Sequence, residues 1–301
     1  MLRGTLLYLS EQPALKRVFG GPLARPLVSR FVAGEKLADA IAAIRTLNAA
    51  GMTATLDYLG ESVHSAAEAS AAATQYIAIL HAIDRGGVQS NASLKLTQMG
   101  LDVDRDMCVR NVERIVAQAA QLGNFIRIDM ESSAHTDVTL EIFKELFARK
   151  QNVGIVIQSY LYRSESDIRE LNKLGARVRL CKGAYKEPAS VAFPDKADVD
   201  KNFVKLMQLL LSEGNYPGIA THDEKMIAAT RDYAARHGIS ADRFEFQMLY
   251  GIRRDLQERI VRDGYRLRIY TPYGEEWYPY MMRRMAERPA NLLFVLRGAM
   301  R

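Results

Sequence analysis

Short apolar runs and amphipathic stretches alternate eight times along this chain, and that alternation limits what it can fold into more than any other feature. The strand-like runs are Met52–Leu59, Ala92–Thr97, Phe125–Met130, Val153–Tyr160, Ala176–Cys181, Gly218–Thr221, Phe244–Leu249 and Leu267–Thr271. Most are brief and rich in β-branched or aromatic residues. The stretches between them carry helical spacing. Ser62–Ile83 is Ala-rich, and Asp104–Leu122 repeats apolar residues at Val109, Val112, Ile115, Val116 and Ala119. Thr136 is placed to cap a helix running to Lys150. Further helices are expected over Glu165–Leu174, Asp200–Ser212, Glu224–His237, Arg254–Asp263 and Glu275–Arg288. Gly123, Gly175, Gly214, Gly238 and Gly264 fall just past helices, as C-terminal caps do. Eight βα units in 301 residues predict an α/β fold of the (β/α)8, TIM-barrel type.

No linker or shift of composition divides the chain beyond the first segment, so residues 35–301 are expected to form the barrel domain and residues 1–34 a helical arm. Glu35–Ala50 reads as an extra N-terminal helix covering the barrel bottom. The stretch Glu187–Val199, after the fifth strand, holds Pro188 and Pro194 and is longer than its neighbours, as barrel lids tend to be.

Apolar residues make up 48% and charged residues 25%, an ordinary soluble globular mix. The net charge of +6 suits anionic ligands or an anionic membrane surface. Nucleic acid is not expected as a partner, because no dense Lys/Arg run with interleaved aromatics occurs. Cys108 and Cys181 form neither a disulfide framework nor a CxxC pair, which fits a reducing, cytoplasmic compartment and no structural metal. No run approaches the ~18 apolar residues of a membrane span, and the N-terminus lacks a signal-peptide layout.

Barrel enzymes place their chemistry at the C-terminal ends of strands. Those ends carry a polar set here: Lys95 and Gln98, Asp129 and Glu131, Gln158, Arg179 and Lys182, Thr221, His222 and Asp223, Gln247, and Tyr270. Arg283 and Arg284 follow on the last helix, after the aromatic run Trp277-Tyr278-Pro279-Tyr280. A charged side chain within an apolar strand is costly unless paired, so Lys95, Asp129 and Arg179 each need a partner or a ligand. Singly, each fits a structural ion pair; gathered at one end, they point to a site. Basic groups outnumber acidic ones there, which suits an anionic substrate, an anionic cofactor, or both. Adjacent arginines offer the fixed fork of donors that a carboxylate accepts. No GxGxxG follows a strand and no P-loop occurs, which argues against a Rossmann or P-loop nucleotide site. The first strand has no His-x-His, so a metal hydrolase is poorly supported, and His222 reads as a hydrogen-bonding residue. The alternative is a metal- or Schiff-base-dependent lyase or hydrolase on the same barrel, with Lys95 or Lys182 as the Schiff-base lysine.

Six segments together carry a family resemblance. They are Ser93–Gln98, Arg127–Glu131, Arg179–Tyr185, Ala220–Asp223, Glu245–Gly251 and Tyr280–Arg284, and they closely resemble the short, single-function bacterial proline dehydrogenases. The resemblance runs from about Glu35 to Arg297. It implies a distorted barrel that binds FAD without a Rossmann domain, oxidises L-proline to Δ1-pyrroline-5-carboxylate and passes electrons to a membrane quinone. The quinone acceptor and the mildly basic chain together lead us to expect a cytoplasmic protein peripheral at the inner face of the cell membrane, and the oligomeric state is left open. By motif, Arg283 and Arg284 would clamp the proline carboxylate beside Lys95, while Leu249, Tyr270 and Tyr280 would pack on the ring. Asp129 would sit near the amine and Arg179 near flavin N5. Met130, Gln158, Lys182, Gly183, Ala184, Thr221 and His222 would hold FAD. Tyr270 favours proline over hydroxyproline, since relatives that prefer the latter carry a smaller residue there. Cys181 stands where the family has Val, and the N-terminal arm offers few matching residues.

Overall fold

A computed structural model of the protein describes residues 29–281. Eight parallel strands close into a barrel in chain order: β1 (Thr53–Tyr58), β2 (Ser90–Leu94), β3 (Ile126–Ile128), β4 (Val153–Gln158), β5 (Val178–Cys181), β6 (Gly218–Ala220), β7 (Glu245–Leu249) and β8 (Leu267–Tyr273), which pairs back to β1. The helices are α1 (Leu37–Ala49), α2 (Ala66–Gly86), α3 (Arg105–Gln121), α4 (Thr136–Arg149), α5 (Ser164–Lys173), α6 (Lys196–Glu213), α7 (Glu224–Arg236) and α8 (Arg254–Arg262). The predicted (β/α)8 architecture is therefore present.

The strands divide their residues by alternation. Leu56, Leu94, Ile128, Ile157, Leu180, Ile219, Phe246 and Ile269 are buried in the apolar layer between barrel and helices. The barrel interior is polar. In its lower half Glu245 accepts from Arg268 Nε at 2.6 Å and Nη2 at 3.1 Å, and from Gln247 Nε2 at 2.6 Å. Arg268 reaches Asn91 Oδ1 at 3.0 Å, and Arg127 donates to the carbonyl oxygens of Ile155 and Arg177. Gly154 gives Arg127 its room, because a Cβ there would lie 2.7 Å from Arg127 Nη1.

Several details depart from the sequence reading. Thr136 begins α4 rather than capping it; His135 precedes the helix, after a 3-10 turn at Ser133–His135, and Thr136 Oγ1 is buried without a partner among the described residues. Gly214 is extended (φ −87°), not left-handed like Gly123, Gly175, Gly238 and Gly264. Residues 196–199 belong to α6, so the loop after β5 is shorter than expected. The second strand ends at Leu94, because the chain turns over residues 96–103 and lifts Lys95 out of the ladder onto the rim.

The extra helix α1 does not cover the barrel bottom. It packs against β1, β8 and α2, with Ala40, Ile41 and Ile44 buried. The helical segment that follows β8, residues 277–281, is joined to the start of this element by Trp277 Nε1 donating to Glu35 Oε1 at 3.1 Å. The place beside β8 and β1 is thereby filled by α1. Ala33 N donates to Pro272 O, and Gly274 N to Gly34 O, tying the chain before α1 to the end of β8. The expected arm, 1–34, and the helix to Arg288 lie mostly outside the described residues.

Candidate active site

At the C-terminal mouth, β3 ends in Asp129, whose carboxylate sits in a cage. Oδ1 accepts from Ser93 Oγ at 2.5 Å and Arg179 Nη1 at 2.9 Å, and Oδ2 accepts from the Tyr270 hydroxyl at 2.7 Å. The Arg179 guanidinium also lies over the Tyr270 ring, 5.2 Å from its centroid, a cation–π arrangement. Lys95 Nζ stands 3.9 Å from Asp129 Oδ2 and 3.6 Å from Asp57 Oδ1. Burial pulls Lys95 toward neutrality, but the two carboxylates outweigh it and raise its pKa, so it is held as a cation. Burial, with Asp129 and Asp57 beside it, pushes the Tyr270 hydroxyl well above its ordinary value, so it stays a donor.

Lys95, Asp129, Arg179 and Tyr270, read from four separate strand ends, thus meet in one cluster. Asp57 belongs to it too, although sequence reasoning passes over it. The signal was available: Asp57 is a carboxylate within an apolar strand, the same criterion that marks Asp129.

Gln158 and Met130 lie together on the rim, with Gln158 Nε2 3.4 Å from Met130 O. Lys182 is gripped by Asp200 at 2.5 Å and Asp223 at 2.8 Å. Gly183 (φ +109°) rests against Tyr160, where a Cβ would stand 2.5 Å from the ring; Ala184 follows it. Thr221 Oγ1 accepts from Asp223 N, and His222 Nε2 accepts from Leu249 N at 2.9 Å, which leaves its proton on Nδ1. Leu249 is half-buried at the end of β7, and Tyr280 is buried on the segment after β8. Arg283 and Arg284 lie outside the described residues.

Three residues of the expected polar set serve the fold instead. Gln247 turns down into the interior network with Glu245. Glu131 accepts from Thr97 N and Oγ1, joining the loops after β2 and β3. Gln98 bridges Tyr58 O and the Tyr76 hydroxyl.

A closed barrel with its charged cluster at the strand C-termini defines a (β/α)8-barrel enzyme. The profile of the proline dehydrogenase family matches residues 40–297, and the chain belongs to that family. It is 43% identical to Proline dehydrogenase 1 of Bacillus subtilis over 301 residues, the full length of both chains. It is likewise 43% identical to the proline dehydrogenase of Deinococcus radiodurans, over the whole of this chain and 98% of that one. Both of these relatives are matched over essentially their whole length. Among solved structures, proline utilization A from Bdellovibrio bacteriovorus, inactivated by N-propargylglycine, superposes with a TM-score of 0.82 at 27% identity, covering 88% of this chain and 33% of that larger one.

Proposed function

We propose that this proline dehydrogenase binds FAD at the barrel mouth, removes a hydride from L-proline to give Δ1-pyrroline-5-carboxylate, and passes the electrons to a membrane quinone. The observation that carries this reading is the set of unspent polar atoms beside the Asp129 cage. Arg179 Nε and Nη2 and Gln158 Oε1 are buried without a hydrogen-bond partner among the described residues. Buried donors and an acceptor on one rim suit a planar heteroaromatic ring that offers both kinds of partner at its edge. Met130, Gln158, Lys182, Gly183, Ala184, Thr221 and His222 would hold the cofactor, and Gly183 lets backbone approach closely. When bound, the flavin supplies the hydride acceptor.

The chain's own residues bind and orient. Arg283 and Arg284 would hold the substrate carboxylate, with Lys95 beside it, remote from the reacting carbon, and such positioning contributes several kcal/mol. Leu249, Tyr270 and Tyr280 would pack against the ring. Asp129 would face the amine, and Arg179 would stand where the cofactor receives the hydride. The Schiff-base alternative is disfavoured by Lys95 itself: a nucleophilic amine must be neutral, and this one is held protonated between two carboxylates.

The deciding experiment is an anaerobic visible spectrum of the purified protein before and after adding L-proline. A flavin band near ~450 nm that bleaches with proline is expected. A bound flavin indifferent to proline would overturn the substrate, and no flavin after supplying FAD would overturn the cofactor. No described helix is long and apolar enough to cross a membrane; the proposed meeting with a membrane quinone is from a cytoplasmic, peripheral position, which the net charge of +6 suits. Low-salt binding to anionic liposomes is the expected result, and its absence would count against that placement.

A further inference from the structure

Two carboxylates stand at the floor of the mouth, and the structure equips them differently. Asp129 receives donors from Ser93, Arg179 and Tyr270. Asp57, at the top of β1, is 1% exposed, and neither of its oxygens has a hydrogen-bond donor among the described residues. Its ion-pair partner is Lys95, which also lies beside Asp129. The other titratable groups facing Asp57 are Asp129, the Tyr270 hydroxyl (already given to Asp129), Glu61 from the loop after β1, and Tyr76 on α2, whose hydroxyl bonds Gln98. Burial, with Asp129 and Glu61 nearby, raises the pKa of Asp57 against the pull of Lys95 and of the neighbouring Tyr270 hydroxyl. A donor-poor, dry site favours the neutral carboxyl over the anion.

We propose that Asp57, acting through Lys95, takes up the proton that the substrate amine must lose. The inference rests on the reading that proline is oxidised here by loss of a hydride. Proline is an ammonium in solution at neutral pH, and a nitrogen without a lone pair cannot help expel hydride from its neighbouring ring carbon. The step balances as a relay. An N–H bond of the substrate ammonium breaks and one forms on Lys95 Nζ, while another Lys95 N–H bond breaks and an O–H bond forms on Asp57. Lys95 ends as it began, the substrate becomes a neutral amine, and Asp57 becomes a neutral acid. The present 3.6 Å between Lys95 and Asp57 is an ion-pair distance. Transfer requires contraction to about 3 Å, as active-site contacts undergo when substrate binds. Asp57 is therefore a positioning residue that exchanges a proton through a neighbour, not a group that touches substrate.

The test compares infrared difference spectra of the anaerobic holoenzyme reduced by L-proline and by dithionite. The expected result is a carbonyl stretch of an undissociated carboxylic acid in the proline spectrum, lost in Asp57→Asn and shifted in Asp57→Glu. Stopped-flow reduction by proline in Asp57→Asn should be about 100-fold slower near neutral pH, the scale of a positioned proton acceptor. That deficit should close as pH rises toward the ionisation of proline's own amine, and Asp57→Glu should recover most of the rate. A band that is absent from the parent enzyme, or that survives in Asp57→Asn, overturns the proposal. So does a deficit equal at every pH, which is what a merely structural role produces. Should Asp57→Asn not fold, the parent band and its shift in Asp57→Glu still decide. Failure of proline to bleach the parent flavin is seen separately in the visible spectrum and would sink the underlying reading instead.

Discussion

Arg179 is the residue on which the mouth turns. One of its nitrogens holds Asp129, its plane covers Tyr270, and its remaining buried nitrogens point to a ligand. Arg179→Met should slow flavin reduction by proline, or shift the flavin potential, because a buried cation is lost while Asp129 keeps only Ser93 and Tyr270 as donors. A variant reduced at the parent rate and potential would remove Arg179 from that role. The arginine pair makes a separable prediction. Arg283→Met or Arg284→Met should raise KM for proline about 10- to 100-fold with flavin still bound, the cost of one or two charge-assisted hydrogen bonds. An unchanged KM in both would discard the clamp. Cys108, by contrast, has no expected chemistry: burial pushes its thiol up to about 12, where it is inert.

At the scale of elements, the loops after β3 and β5 are tied to each other. Glu187 accepts from Ser133 N at 2.8 Å and from Ser133 Oγ, and the Tyr160 hydroxyl reaches it at 3.4 Å. Leu161 and Ala192 pair as an antiparallel bridge beneath, and Tyr162 meets Phe193 edge-on at 4.6 Å. The sequence marks residues 187–199 as a long segment from its prolines, but it carries no sign of this clasp, whose partners lie 54 residues apart in the chain. Glu187→Ala should free the segment, with a local loss of about 1–3 kcal/mol from the unmatched donors. Faster hydrogen exchange at the Ser133 amide and new proteolytic cutting within 187–195 would register it. Unchanged exchange would show that the apolar contacts hold the loop without Glu187. Strand ends were less legible than strands: Leu96 and Lys95 extend the β2 pattern in sequence, and only the tight turn over 96–103 ends it.

For the whole molecule, the polar barrel interior is the main energetic liability. Glu245 is enclosed with Arg268 and, nearby, Arg127. Burial raises Glu245, but Arg268, Gln247 and Arg127 more than offset it, so its folded value lies below the ordinary carboxylate range. A depressed carboxylate contributes its stability above the unfolded value, and that stability is lost as pH falls through the folded one. Thermal stability should therefore hold at neutral pH and fall on acidification below the ordinary carboxylate range. Glu245→Leu should cost about 3–5 kcal/mol at neutral pH, because it strands buried guanidinium charge, and should flatten the acid limb of the Tm profile. An unchanged acid limb would assign acid lability to other carboxylates.

The sequence by itself determined the architecture, because eight repeats of a period-two run followed by a period-3.6 run bury their apolar faces together only when the sheet closes on itself. It also determined much of the mouth: a charge inside an apolar strand marks Lys95, Asp129 and Arg179, and a polar side chain at a strand end marks Tyr270, although the same criterion was passed over at Asp57. Tertiary structure decided how those residues are shared. Closing the barrel brought Asp57 of the first strand beside Lys95 of the second and Tyr270 of the last, a neighbourhood that no linear spacing encodes. It turned Gln247 downward, because Glu245 beneath accepts from its amide nitrogen. It also set α1 beside β8 and β1, because its apolar face, Ala40, Ile41 and Ile44, is buried only against strands that lie far apart in the sequence.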